Sequence, residues 1–97
     1  MLKPRALRAA VRAAVGKHVD LATHEVFLFG SEASGEGTPR SDIDIGIRGP
    51  HPLSGATVQR VRDELTRLRT LRTFDVVDFG KADPAFTRVA TEDIERL

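Results

Sequence analysis

Two spacings of apolar residues alternate along the chain. Leu7, Val11, Ala14, Val15 and His18 fall on one helical face, with Arg5, Arg8 and Arg12 elsewhere, so the N-terminal segment predicts an amphipathic helix. The same segment holds no acid before Asp20 and five Arg or Lys before His18, which superficially resembles a transit peptide. The one-sided apolar stripe makes a structural helix the better reading. Val58, Val61, Leu65 and Leu68 step by 3, 4 and 3, which predicts a second helix beginning near Ser54 or Gly55. Arg60, Arg62, Arg67 and Arg69 then project outward, as a solvated face or a docking surface for an acidic partner. Asp83-Pro84 reads as N-cap and first helical position, and Phe86, Val89, Ala90 and Leu97 predict a final amphipathic helix with Arg88 and Glu92 spaced to pair.

Between these helices the spacing changes. Glu25-Val-Phe-Leu-Phe29 is continuously apolar after its first residue and ends at Gly30, which suits a strand covered on both faces. Asp42-Ile-Asp-Ile-Gly-Ile47 alternates strictly, so Ile43, Ile45 and Ile47 face a core while Asp42, Asp44 and Gly46 share the other side. Thr73–Phe79 is a third strand-like run. The resulting order, helix–strand–turn–strand–helix–strand–helix, predicts an α/β (α+β) fold: one domain over residues 1–97, a small mixed β-sheet with helices packed on it.

Candidate chemistry concentrates where the first two strands meet. Gly30-Ser31 is followed, after ten residues, by Asp42-Ile43-Asp44. Gly30 permits a sharp turn and close ligand approach. Ser31 and the free N–H groups around it form a seat for an anionic phosphate. Aspartate is a poor strand former, and two of them at i, i+2 repel by roughly 4 kcal/mol at ~4 Å and an effective dielectric of ~20. A divalent cation reverses the sign of that term. Magnesium prefers hard oxygen ligands and keeps positions for water and substrate phosphates, and a pair of such ions can activate an attacking oxygen and neutralise a leaving pyrophosphate. A third carboxylate is expected from Thr73–Phe79, where Asp75 and Asp78 differ in parity and spacing alone cannot choose between them. No Walker-type Gly-Lys-Ser/Thr sequence is present. His18, His24 and His51 share no ligand spacing.

The stretch Leu28-Phe-Gly-Ser-Glu-Ala-Ser-Gly…Ser-Asp-Ile-Asp-Ile45 resembles the signature of the polymerase-β-like nucleotidyltransferases, and in particular the minimal nucleotidyltransferase (MNT) group. The resemblance runs from about Leu7 to Phe79. It implies that Gly30 and Ser31 hold nucleotide phosphates and that Asp42 and Asp44 bind metal. Phe74-Asp-Val-Val-Asp78 is similar to a later pattern of the group whose first Asp supplies the third carboxylate, which favours Asp75. Glu32 and Ser34 stand where the group often has arginines, so either their help at the triphosphate is lost or Arg40 or Lys17 substitutes.

Composition narrows the setting. The chain is 40% hydrophobic and 30% charged, an ordinary soluble composition, and its net charge of +1 gives no global pull toward nucleic acid. Absence of cysteine excludes disulfides and thiolate metal sites and fits a reducing cytoplasm. No apolar run approaches the ~20 residues of a membrane span. The arginines of the second helix lack interleaved aromatics, which argues against single-strand stacking. Relatives that modify small molecules or tRNA carry an additional domain for the acceptor, and 97 residues leave no room for one. The acceptor is therefore expected on a second polypeptide. The resemblance implies a HEPN-domain ribonuclease toxin in a hetero-oligomer with its antitoxin, and transfer of AMP from ATP to a toxin tyrosine. In that scheme Asp42, Asp44 and Asp75 hold two Mg²⁺ ions, Asp75 helps deprotonate the tyrosine, and Gly30, Ser31 and Arg40 position the triphosphate. The alternative is a weakly catalytic or non-catalytic antitoxin that masks its partner.

Overall fold

A computed structural model describes residues 3–35 and 42–97. Its elements are α1 (Pro4–Gly16), β1 (Glu25–Phe29), α2 (Ser31–Ser34), β2 (Ile43–Arg48), α3 (Gly55–Leu65), β3 (Phe74–Asp78), α4 (Pro84–Ala90) and β4 (Glu95–Arg96). The four strands form one mixed sheet in the order β3-β2-β1-β4. β2 lies antiparallel to β1 and parallel to β3, and β4 adds antiparallel to the other side of β1. The parallel β2–β3 pair requires a crossover, which α3 supplies.

The isoleucines of β2 fix the register. Ile43, Ile45 and Ile47 join Val26, Leu28 and Val76 on one face, beneath Leu7, Val11, Ala14 and Val15 of α1 and Val61 and Leu65 of α3. The opposite face carries a smaller cluster, Phe27, Phe29 and Phe79, with Val77, Ala82, Ala90 and Ile94 against it. A Cβ on Gly46 would meet the rings of Phe27 and Phe79, so that glycine lets the aromatic cluster close over β2. β1 is thus buried on both faces, as its unbroken apolar run requires.

Local chemistry sets the helix starts. Pro4 opens α1. Ser54 caps α3 by accepting from the Thr57 N–H, and Asp83 caps α4 by accepting from the N–H groups of Ala85 and Phe86. The C-terminal segment departs from the sequence expectation. The final helix ends at Ala90, and Glu95–Arg96 pairs with Phe27 and Leu28. Leu97 donates its N–H to the Val26 carbonyl and packs into the larger core. Leu97 therefore belongs to a strand edge, and Arg88 and Glu92 form no ion pair among the described residues. α4 buries none of its residues fully: Phe86 is 45% and Val89 66% exposed. Among the described residues no helix is long and apolar enough to cross a membrane.

Candidate active site

The chain turns sharply as it leaves the buried strand β1. Gly30 has φ +68°, a left-handed conformation that side-chain-bearing residues rarely adopt, and Ser31 begins α2 immediately after it. A Cβ on Gly30 would collide with a carboxylate oxygen of Asp44, so the Asp44 side chain lies directly against the turn. Pairing of Phe29 with Asp44 in the antiparallel β1–β2 ladder produces this approach.

Asp44 is also the direct cross-strand partner of Asp75 in the parallel β2–β3 ladder. Side chains at paired positions point to the same face, so these carboxylates project together, away from the isoleucine core. Asp42 precedes β2 with the parity of Asp44, is exposed, and accepts a hydrogen bond from the Thr73 hydroxyl. Asp44 is half-buried, and its pKa is raised, first by burial and then by the negative charges of Asp75 and Asp42. Asp75 and Asp42 thus both act on Asp44 beside the glycine turn.

The alternative third acid has a different role. Asp78 pairs with Ile47, one strand position out of phase with Asp75, and its carboxylate accepts from the backbone N–H groups of Leu53 at 2.8 Å and Gly80 at 2.9 Å. It fastens the loop before α3 to the end of β3. The choice that spacing left open is made by register: Asp75 faces Asp44, and Asp78 does not.

The donor chemistry fits a hard divalent cation, since Asp42, Asp44 and Asp75 offer only carboxylate oxygens. In their present side-chain positions the described residues form no group of three or more acids or histidines that could hold a metal ion. The backbone register sets Asp44 opposite Asp75, with Asp42 two residues before Asp44.

Of the expected cations, Arg40 lies outside the described residues. Lys17 pairs with Glu64 of α3 at 3.3 Å, roughly 13 Å along α1 from Arg8 at ~1.5 Å rise per residue. Among the described residues, Arg8 and Arg72 stand at this end of the sheet, both paired with Glu32. Sequence reasoning missed Arg72 because it sits in an aperiodic basic stretch; its signal was an acid where the resemblance called for a base. Beyond the turn, an open cleft of about 430 Å³ is lined by Phe29, Gly30, Ser34, Phe86, Val89 and Glu92, among others.

The site thus consists of a glycine turn against an Asp-x-Asp strand, with a third Asp in register on the parallel neighbour. A family profile described as polymerase beta, nucleotidyltransferase matches residues 17–96, and the chain belongs to that family. Toxin–antitoxin complexes are among the solved structures it resembles. One, a toxin–antitoxin with AMP-PNP, superimposes with a TM-score of 0.75 at 19% identity over 91% of this chain and 69% of that one. Another, a tri-AMPylated HEPN toxin in complex with its MNT antitoxin from Shewanella oneidensis, gives a TM-score of 0.72 at 16% identity over 95% and 69%. A mutant MntA–HpeT toxin–antitoxin complex gives 0.72 at 17% over 89% and 68%. No curated protein matches the chain in sequence.

Proposed function

We propose that this protein is the antitoxin of a toxin–antitoxin pair and neutralises a HEPN-domain partner by transferring AMP from ATP to a hydroxyl of that partner, a tyrosine by resemblance. The observation that carries the reading is the Asp44 carboxylate, set against the Gly30 turn and in register with Asp75. Family membership supports nucleotidyl transfer, and the AMP-PNP and AMPylated-toxin complexes of the structural neighbours support ATP and a protein acceptor.

On this reading Gly30 and Ser31 position the triphosphate, and Asp42 and Asp44 would hold the metal that neutralises it. Asp75, at the sheet edge, takes the proton of the acceptor hydroxyl. The acceptor oxygen bonds to the α-phosphorus as the bond to the bridging oxygen breaks, so AMP remains on the acceptor and pyrophosphate leaves. Mg²⁺ held by Asp42, Asp44 and Asp75 supplies charge neutralisation at the phosphates when bound. Gly30 contributes by having no Cβ where phosphate and carboxylate must meet. The working form is a cytoplasmic hetero-oligomer with the toxin.

A second reading, masking of the partner with little catalysis, draws on Glu32 standing in an expected arginine position and on Leu71, Phe86 and Val89, exposed at 85, 45 and 66%. Incubation with α-labelled ATP, Mg²⁺ and the partner encoded beside it separates the two. Label on the partner that disappears with Asp42→Asn or Asp44→Asn supports transfer. A stable complex that never acquires label refutes it in favour of masking.

A further inference from the structure

Glu32 departs from the arginine-bearing motif, and it holds two arginines. It accepts a hydrogen bond from Nη2 of Arg72, and its other oxygen lies 3.9 Å from Nη2 of Arg8. Arg8 also donates to Glu95, from Nε at 2.6 Å and from Nη2 at 3.2 Å. The series Arg72–Glu32–Arg8–Glu95 alternates in sign and joins the lead-in to β3, α2, α1 and β4. Because β3 and β4 are the two edges of the sheet, the series spans it at the end that carries the glycine turn. Its centre is sheltered, with the Glu32 and Arg72 side chains 15% and 16% exposed. Exposed pairs contribute little, whereas removing one member of a sheltered series leaves its partner desolvated and uncompensated.

We propose that Glu32 is a positioning residue: by clasping Arg72 and Arg8 it fixes α2, and the Gly30-Ser31 turn before it, against the strand that carries Asp75. The inference rests on the nucleotidyl-transfer reading above. Two further observations support it. α2 has only four residues and cannot be held by its own hydrogen bonds. The lead-in that reaches Glu32 through Arg72 also reaches the dyad, since Thr73 donates to Asp42 and accepts from the Ile43 N–H. One segment therefore sets the distance between the turn and the carboxylates. The clasp pairs each acid with a base, so Glu32 adds no uncompensated negative charge beside the triphosphate.

The competing expectation has the opposite sign. If Glu32 merely repels phosphate, neutralising it tightens nucleotide binding; if it positions the turn, neutralising it loosens binding. The test uses the full chain with Glu32→Gln, Arg72→Gln, the double variant and Arg72→Lys. Urea unfolding is measured alongside calorimetric titration of AMP-PNP with Mg²⁺, well below the melting temperature. Positioning predicts that each glutamine variant raises Kd at least ~5-fold, that the double variant adds little more, and that Arg72→Lys recovers part of the loss. Unfolding should show the two sites coupled by about tenfold in the equilibrium constant. Unchanged or tighter binding in Glu32→Gln, or strictly additive unfolding, overturns the clasp. Absence of AMP-PNP binding by the wild-type chain refutes the functional reading itself, and with it the clasp's role in the site; binding that the variants leave unaltered refutes the clasp alone.

Discussion

Replacing Gly30 with alanine tests the closest approach in the site. Two costs are expected, and they separate. An alanine at φ +68° carries left-handed strain of about 1–2 kcal/mol, partly offset by the reduced freedom of the unfolded chain. The new Cβ also overlaps the Asp44 carboxylate, which must leave its position, at a further ~0.5–1.5 kcal/mol for a displaced rotamer. The total is about 2 kcal/mol, which for a domain of this size lowers Tm by roughly 8–16 °C. Asp44→Ala removes the obstructing carboxylate and leaves only a 3.8 Å contact to its Cβ, so in that background Gly30→Ala should cost about 1 kcal/mol less. The assay is a double-mutant cycle by urea denaturation in EDTA, in which the direct effect of Asp44→Ala cancels. Equal costs in both backgrounds, within ~0.5 kcal/mol, would show that the carboxylate does not sit against the turn.

Three further outcomes are expected. Burial and the neighbouring acids raise the folded-state pKa of Asp44, so the folded chain binds more protons than the unfolded chain above the ordinary carboxylate value of 3.8. Metal-free stability therefore falls as pH rises from there through the raised value, and thermal melts in EDTA should show Asp44→Asn more stable than wild type at neutral pH, with the difference vanishing below pH 3.8. Asp78→Ala should lose about 2 kcal/mol in urea unfolding, having removed an ionised acceptor from two backbone N–H groups, yet leave nucleotide affinity within ~2-fold, whereas Asp75→Ala should show the reverse. Gly46→Ala should destabilise by about 1–3 kcal/mol, because its Cβ overlaps the Phe27 ring and falls 2.7 Å from that of Phe79; a neutral result would mean the aromatic cluster is loosely packed.

How far the sequence could be read follows from which interactions are local. The strict alternation of 42–47 determines which face of β2 is buried, and the isoleucines lie where that alternation puts them. Ser54 and Asp83 act through their own first turns, so the starts of α3 and α4 were legible. β4 was not. Two residues carry no period, and their pairing with Phe27 and Leu28 joins positions about seventy apart in the chain. The same holds within the candidate site. Gly30, Asp42 and Asp44 form a spacing motif, but the choice of Asp75 over Asp78 needs the β2–β3 register, which depends on the α3 crossover. The Glu32–Arg72 pair spans forty positions, so charge pattern alone could not reveal it.

The central claim is that the carboxylates of Asp42, Asp44 and Asp75 and the Gly30 turn together bind a metal–nucleotide complex. Calorimetric titration of AMP-PNP into wild type, Asp42→Asn and Asp44→Asn, with Mg²⁺ and then with EDTA, tests it most directly. The account predicts saturable binding by wild type that requires Mg²⁺ and is lost in both variants, which remain folded. Binding that persists in EDTA, or with equal affinity in Asp44→Asn, would contradict it.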